Sequence, residues 1–338
     1  MTSNYKIIIP MAGLGSRMRP HTWSRPKPLL YLAGKTVLDH AIEQFDTLPG
    51  LSDAEYIFIV SPNQGEQIQE HMQTIHPDKV VHFAVQEHMR GQSDALLAAR
   101  EYVHGPVLIA FSDTLIETDL DFLRGETADG VAWVKPMPDP RRFGVAETDA
   151  SGRVTRLIEK PTDIKNNLVL VGFYYFREGI DLLKAIDTQI ERNISLKGEY
   201  FLADAINLML ESGAHLKAHS TDVWLDAGIP ESLLETNRYL LDHGRCHCDI
   251  NDGELPGVTI IPPVSIPENV QLESAVIGPH VTLGEGCKMK NVVVRNSIIE
   301  AGTQVTDMVV EGSLIGRNVI LEGKPDRLNI GDNSWVTK

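Results

Sequence analysis

The chain has 338 residues, 42% of them hydrophobic, with 31 basic against 46 acidic side chains and a formal net charge of −15. That length suits a full α/β domain plus a smaller one, and the acidic balance excludes nucleic acid and anionic membrane as surface partners. The cysteines Cys246, Cys248 and Cys287 form no even framework and fit a reducing, cytoplasmic setting. The apolar start is too short for a signal segment, and no later run approaches the ~18 residues of a membrane span, so neither export nor membrane insertion is expected.

Apolar, β-branched runs at 5–12, 56–61, 80–85 and 107–111 alternate with amphipathic stretches at 36–45, 65–75 and 94–103. That rhythm predicts βαβ units on a Rossmann-like, mainly parallel mixed sheet. The loop after the first strand reads Ala12-Gly13-Leu14-Gly15, then carries Arg17, Arg19, Arg25 and Lys27 with no carboxylate among them. Glycine permits sharp turns and close backbone approach, so N–H groups around Gly13 and Gly15 can face phosphate oxygens. In such sheets ligands bind at the carboxyl ends of the strands, where this loop falls. A cationic loop in an acidic chain therefore marks an anion site. It is no Walker A loop, because Gly15 is followed by Ser16-Arg17 rather than Lys-Ser/Thr. Nor is it a dinucleotide fingerprint, since Met18 replaces the third glycine and Ser61-Pro62 the acid after the second strand.

From 131 to 175 the pattern changes to closely spaced strands around the turn signal Asp149-Ala150-Ser151-Gly152. Helical periodicity returns at 180–191, 201–211 and 231–242. After His243-Gly244 lone apolar positions recur at Ile260, Ile266, Leu272, Ile277, Leu283, Met289, Val294, Ile299, Val305, Val310, Ile315 and Leu321. Equivalent positions such as Leu283, Ile299 and Ile315 return every sixteen residues, which predicts a left-handed parallel β-helix of three-step coils. The expected organisation is a catalytic domain at 1–244, a linker at 245–257 and the β-helix at 258–338.

Further segments follow the glycine loop and its Arg25-Pro26-Lys27-Pro28 in order. They are Gln86 with Gly91-Gln92-Ser93-Asp94-Ala95-Leu96, Ser112-Asp113, Phe143-Gly144-Val145, Glu159-Lys160-Pro161, Val171-Gly172-Phe173-Tyr174, 198–204 and Trp224-Leu225-Asp226-Ala227-Gly228. Over almost the whole chain this series resembles the sugar-1-phosphate nucleotidylyltransferases. The tail, with Ser313-Leu314-Ile315-Gly316 and 328–332, is similar to the long glucose-1-phosphate thymidylyltransferases that carry a C-terminal left-handed β-helix. Ala12-Gly13-Leu14-Gly15 departs from their Gly-Gly pair and is closer to bacterial glucose-1-phosphate uridylyltransferases.

The resemblance implies that a nucleoside triphosphate and a sugar 1-phosphate give an NDP-sugar and pyrophosphate, with glucose 1-phosphate and dTTP or UTP as expected substrates. It implies Arg17, Lys27 and Lys160 as catalytic cations; Ala12, Gly13, Leu14, Gly15, Gln86 and Gly91 at the nucleotide; and Gly144, Glu159, Lys160 and Tyr174 at the sugar phosphate. Asp113 and Asp226 would hold Mg²⁺, a cation that favours carboxylate and phosphate oxygen. A sugar-phosphate oxygen is already ionised near neutral pH, so alignment and charge neutralisation suffice without a general base. Gln86 can pair with a uracil or thymine edge through both amide groups.

Each residue has a plainer reading. An aspartate ending a strand often caps the next helix, as Asp113 could, Glu159-Lys160 could be a surface ion pair, and Tyr174 could be strand packing. Cys246-His247-Cys248 cannot close a tetrahedral metal site alone and reads as a linker turn. His280 raises an acyltransferase function for the β-helix, but no inserted catalytic loop accompanies it. The alternatives to the enzyme are a silent regulatory homologue and a bifunctional enzyme with an acyltransferase β-helix. The β-helix is expected to make the protein a homo-oligomer.

Overall fold

The computed structural model describes residues 4–249 and 255–324, so the segment 328–332 lies outside the described residues. Two compact units divide the chain, one of 1–30 with 36–232, the other of 31–35 with the residues from 233 onward. The division falls at 232 rather than at the expected 244, and the second unit takes in the short segment 31–35.

Along the chain run β1 (Lys6–Pro10), β2 (Tyr31–Leu32), β3 (Lys35–Thr36), α1 (Val37–Glu43), β4 (Glu55–Val60), α2 (Gly65–Ile75) and β5 (Val80–Val85). Then come α3 (Gln92–Ala98), β6 (Val107–Ala110), β7 (Thr114–Ile116), β8 (Gly130–Pro136), β9 (Gly144–Thr148) and β10 (Val154–Glu159). They are followed by β11 (Leu168–Phe176), α4 (Gly179–Glu191), α5 (Leu202–Glu211), β12 (Leu216–Ser220), β13 (Trp224–Asp226) and α6 (Pro230–Asp242). In the first unit the main sheet has the order β10-β9-β11-β6-β1-β4-β5, with β8 beside β11 and β12 beside β8. β1 pairs in parallel with β4 and β6, and β4 with β5, while β11 runs antiparallel to β6. The sheet is thus mixed, with a parallel half around β1.

Alternation along the strands explains why this half is covered on both faces. Ile7, Ile9, Tyr56, Phe58, Leu108 and Ala110 enter one core with Leu38, Ile42, Ile68 and Met72 of α1 and α2. Ile8, Ile57, Ile59, Val107 and Ile109 enter another with Leu96, Leu182, Ile186, Leu202 and Ile206 of α3, α4 and α5. Full burial of each such side chain stabilises by about 1.5–3 kcal/mol. Helices occupy both faces, so the loops at the carboxyl ends of the strands are left to form a site.

The second unit contains two all-parallel sheets of five short strands each, the left-handed parallel β-helix expected. In one sheet Leu283 pairs with Ile299 and Ile299 with Ile315, the sixteen-residue step visible in the sequence. Strands of the other sheet, such as Gln271–Ile277 and Lys288–Arg295, turn a corner midway, so two sheets supply three faces. Corners require left-handed backbone, and it recurs in three series: Ser274, Asn291 and Asp307; His280, Asn296 and Gly312; Gly286, Gly302 and Asn318. Short polar residues and glycine tolerate that conformation where β-branched ones do not. All twelve apolar positions read from the sequence belong to one core; eight are fully buried and Ile260, Leu272, Ile315 and Leu321 pack against it. Residues 245–257, expected as linker, are in part a rung: His247–Cys248 form a strand parallel to Val264–Ile266.

Leu283 is fully buried in that core, so Leu283→Ala should destabilise by about 2–5 kcal/mol in denaturant unfolding. A loss under about 0.5 kcal/mol would contradict the inward assignment.

Candidate active site

Two segments far apart in sequence meet where β1 and β6 end. The loop after β1 leaves the sheet at Met11, whose N–H donates to Ile59 O at 2.8 Å. Gly15 has φ +59°, and a Cβ there would stand 3.2 Å from Thr22 and 3.3 Å from Lys27. Thr22 Oγ1 donates to Gly15 O at 2.8 Å and secures the turn. Gly13 differs from expectation, because its φ is not left-handed and a Cβ there would meet nothing within 4 Å. Its bareness clears space rather than enabling a turn.

Asp113 follows β6, and its Oδ2 accepts from Lys27 Nζ. Burial works to raise the Asp113 carboxyl, but Lys27 beside it and Arg17 nearby outweigh this and hold it below the ordinary carboxylate range. β13 pairs antiparallel with β7, bringing Asp226 opposite Thr114 and so next to Asp113. Ala227 N–H donates to Asp113 O at 3.0 Å, and Gly228 N–H donates to Asp226 Oδ1 at 2.8 Å. A Cβ on Gly228 would lie 2.8 Å from Asp226 Oδ1, 3.4 Å from Asp113 Oδ2 and 3.5 Å from Arg17 Nη2. Two carboxylates and a guanidinium therefore converge on a space that only glycine leaves open.

A cavity of about 470 Å³ is lined by Ala12, Gly13, Gly15, Arg17, Lys27, Gln86, Gly91 and Asp113, eight of the expected residues. Ser16, Gln92, Phe111, Ser112, Glu199 and Gly228 also line it, without a role assigned from sequence. Glu199 and Gly228 stood inside recognised segments, so position was the available signal. A larger hollow of about 720 Å³, lined in part by Asp129, Arg177, Lys184 and Arg192, gathers none of the expected residues. Leu14 is absent from the cavity lining and 62% exposed.

Gln86 is buried, and its Nε2 donates to Gly91 O at 3.3 Å and to Asp94 Oδ2 at 3.1 Å. Both amide hydrogens are thereby used, which corrects the expectation that both amide groups face a base. Gly91 is at φ +114°, and a Cβ there would fall 2.6 Å from both Tyr200 N and Tyr200 O. Tyr200 N–H donates to Arg90 O at 2.8 Å and Ser93 N–H to Tyr200 O at 3.0 Å, clamping the two loops together.

The expected sugar-phosphate residues form a second group outside the cavity lining. Gly144 lies under Glu159, with a hypothetical Cβ 3.0 Å from Glu159 Oε2. The Glu159 carboxyl is raised, first by burial and then, against Lys160, by Asp204 and Glu199. Glu199 thus links this group to the cavity. Lys160 has φ +48°, and its Nζ lies over the Phe201 ring, 4.5 Å from the centroid. Tyr174 is 4% exposed and meets Phe111 edge to face at 6.4 Å, so it packs behind the cavity wall rather than lining it. His280 is a β-helix corner whose Nε2 bonds Asp242 Oδ1 at 2.8 Å. Cys246, Cys248 and Cys287 form no disulfide among the described residues, and His247 pairs with Asp249 at 2.8 Å. No helix among the described residues is long and apolar enough to cross a membrane.

A family model described as nucleotidyl transferase matches residues 6–243. The bifunctional protein GlmU of Methanocaldococcus jannaschii is 33% identical over 237 residues, 70% of this chain and 54% of that protein. The chain thus spans about half the length of such relatives. Along nearly its whole length it is similar to a glucose-1-phosphate thymidylyltransferase of Streptomyces antibioticus, 29% identical over 98% of this chain and 99% of that one. The crystal structure of a nucleoside-diphosphate-sugar pyrophosphorylase from Vibrio cholerae shares the fold with TM-score 0.60 at 21% identity, covering 69% of this chain and 99% of that one.

Gly91→Ala should lower stability by more than about 1 kcal/mol, because the added Cβ meets backbone rather than a side chain that can swing away. Thermal unfolding beside Gly13→Ala, which meets open space, checks this. Equal melting temperatures for the two variants would contradict it.

Proposed function

The chain belongs to the nucleotidyl transferase family, and from this we propose that it forms an NDP-sugar and pyrophosphate from a nucleoside triphosphate and a sugar 1-phosphate. The observation that carries the reading is the convergence of Asp113, Asp226 and Arg17 on the space at Gly228, inside a cavity that also holds the glycine loop. The substrates that best fit are glucose 1-phosphate with dTTP or UTP, supported by the full-length similarity to a thymidylyltransferase.

Asp226 Oδ1 and Asp113 Oδ2, which face the space at Gly228 beside the Arg17 guanidinium, are oxygen donors of the kind that Mg²⁺ takes. Asp113 and Asp226 would hold that ion, which when bound neutralises phosphate charge. In the proposed reaction a sugar-phosphate oxygen attacks the α-phosphorus as the bond to pyrophosphate breaks. Arg17, on the short helical turn Ser16–Met18, offers its guanidinium to the leaving pyrophosphate. Lys27 spends one of its ammonium donors on Asp113 and keeps others for the α-phosphate. Backbone N–H groups around Gly13 and Gly15 position the triphosphate. Lys160, held over Phe201, would meet the phosphate of the sugar substrate, and the raised carboxyl of Glu159 a sugar hydroxyl.

Pyrophosphate release measured with each nucleoside triphosphate against a panel of sugar 1-phosphates tests the activity, and no turnover from folded protein with any pair would overturn it. Arg17→Ala should lower kcat about 10²–10³-fold, the loss expected when one transition-state charge contact is removed. Asp113→Asn and Asp226→Asn should each lower activity and raise the Mg²⁺ concentration needed for half-maximal rate while melting as folded proteins. An unchanged Mg²⁺ requirement in both would remove these aspartates from the ion.

A further inference from the structure

Away from the cavity residues, α1 and α2 bring three ligating side chains to one point. Asp39 of α1 is 6% exposed, and its two oxygens have separate partners. Oδ2 accepts from Thr36 N at 2.9 Å and Thr36 Oγ1 at 2.7 Å, closing the capping box that starts α1. Oδ1 is left facing two imidazoles, His71 Nε2 and His76 Nε2, each at 2.8 Å. His71 sits on α2 and His76 just after it, their rings 6.3 Å apart and inclined at 67°, so their Nε2 edges converge. One ligand atom from each of the three residues lies within 4.8 Å of the other two. The imidazole side chains are 16% and 17% exposed, which leaves a way in from solvent.

We infer that Asp39, His71 and His76 form a His₂–carboxylate site for a divalent cation of the Zn²⁺ class, joining α1 to α2. Two neutral imidazole nitrogens and one carboxylate oxygen are a donor set that Zn²⁺ accepts, with a fourth position for water. Mg²⁺, which wants oxygen, is disfavoured by the same set. Thr36 supplies what such sites ordinarily need beyond their ligands, a partner that fixes the carboxylate so that one oxygen points inward. Burial works to raise the Asp39 carboxyl, but hydrogen bonds from His71, His76 and Thr36 outweigh it and hold it below the ordinary carboxylate range. The cation would tie the second helix to the first and act on stability, not on the reaction.

Zn²⁺ titrated by calorimetry into chelator-stripped full-length protein tests this, with His71→Gln and His76→Gln beside wild type. Each variant should bind more than ~10–100-fold more weakly, the loss that outer-shell changes alone can produce. Zn²⁺ should also raise the melting temperature of wild type and of neither variant. Asp113→Asn/Asp226→Asn and Cys246→Ser/Cys248→Ser should keep this binding. Loss of Zn²⁺ uptake in those proteins with full uptake in the histidine variants would overturn the assignment, as would no uptake by wild type. Should a histidine variant fail to fold, wild type still decides: Zn²⁺ should protect His71 and His76 from diethylpyrocarbonate, and unchanged labelling of both would overturn the site.

Discussion

The contact between Lys27 and Asp113 joins segments 86 residues apart, and the geometry of the cavity depends on it. It exists because β1 and β6 are parallel neighbours, so the loop after one and the aspartate after the other emerge at the same edge. In a chain of net charge −15 a half-buried carboxylate at this edge would be costly alone. Lys27 and Arg17 make the ionised form the favoured one. The base of the same side chain crowds the space above Gly15, where an added Cβ would meet Lys27 Cβ at 3.3 Å. Charge pairing and the left-handed turn at Gly15 thus constrain one another, and the loop has little freedom to leave the strand ends.

Much of this was legible in the sequence because it rests on periodicity. The βαβ rhythm gave the strands at 80–85 and the helix at 65–75 with their observed limits, since alternation and helical spacing are local properties. The β-helix was legible for the same reason, each coil placing its apolar residues at fixed intervals. Its corners were not read, although Asn296 and Gly312, or Gly286 and Gly302, repeat just as regularly. Their signal is backbone tolerance rather than hydropathy, and a hydropathic search passes over it. The rung at His247–Cys248 was missed because two exposed residues carry no apolar mark.

What the sequence could not supply is which partner a polar group chooses. Lys160 stands next to Glu159 in the chain, yet its ammonium rests on Phe201, and burial with Asp204 and Glu199 outweighs its pull on the Glu159 carboxyl. Asp39 lies in one helical pattern and His71 in another, with His76 just past its end, and only the packing of α1 and α2 brings the three together. Tyr174 shows the converse. Its segment matched a site motif, but β-strand alternation turned its ring into the core.

The orientation of Gln86 narrows what kind of base edge the cavity can hold under the proposed activity. Gly91 O and Asp94 Oδ2 are both acceptors, so the amide must turn its hydrogens to them and present Oε1 as the remaining group. Arg90 donates to Asp94 Oδ1 at 2.6 and 3.1 Å and so holds that carboxylate in place beside the Gln86 amide. An acceptor can meet the ring N–H of uracil or thymine. It opposes the ring nitrogen of cytosine, which is itself an acceptor, and a buried mismatch of that kind is rejected far more strongly than a missing or extra methyl. A methyl is worth only about 1–3 kcal/mol in a pocket. If Gln86 meets the base as proposed, discrimination against cytosine would lie in its hydrogen bonds, while that between thymine and uracil would fall to the shape of the cavity wall. Leu14, with its side chain turned to solvent, is not placed to make it.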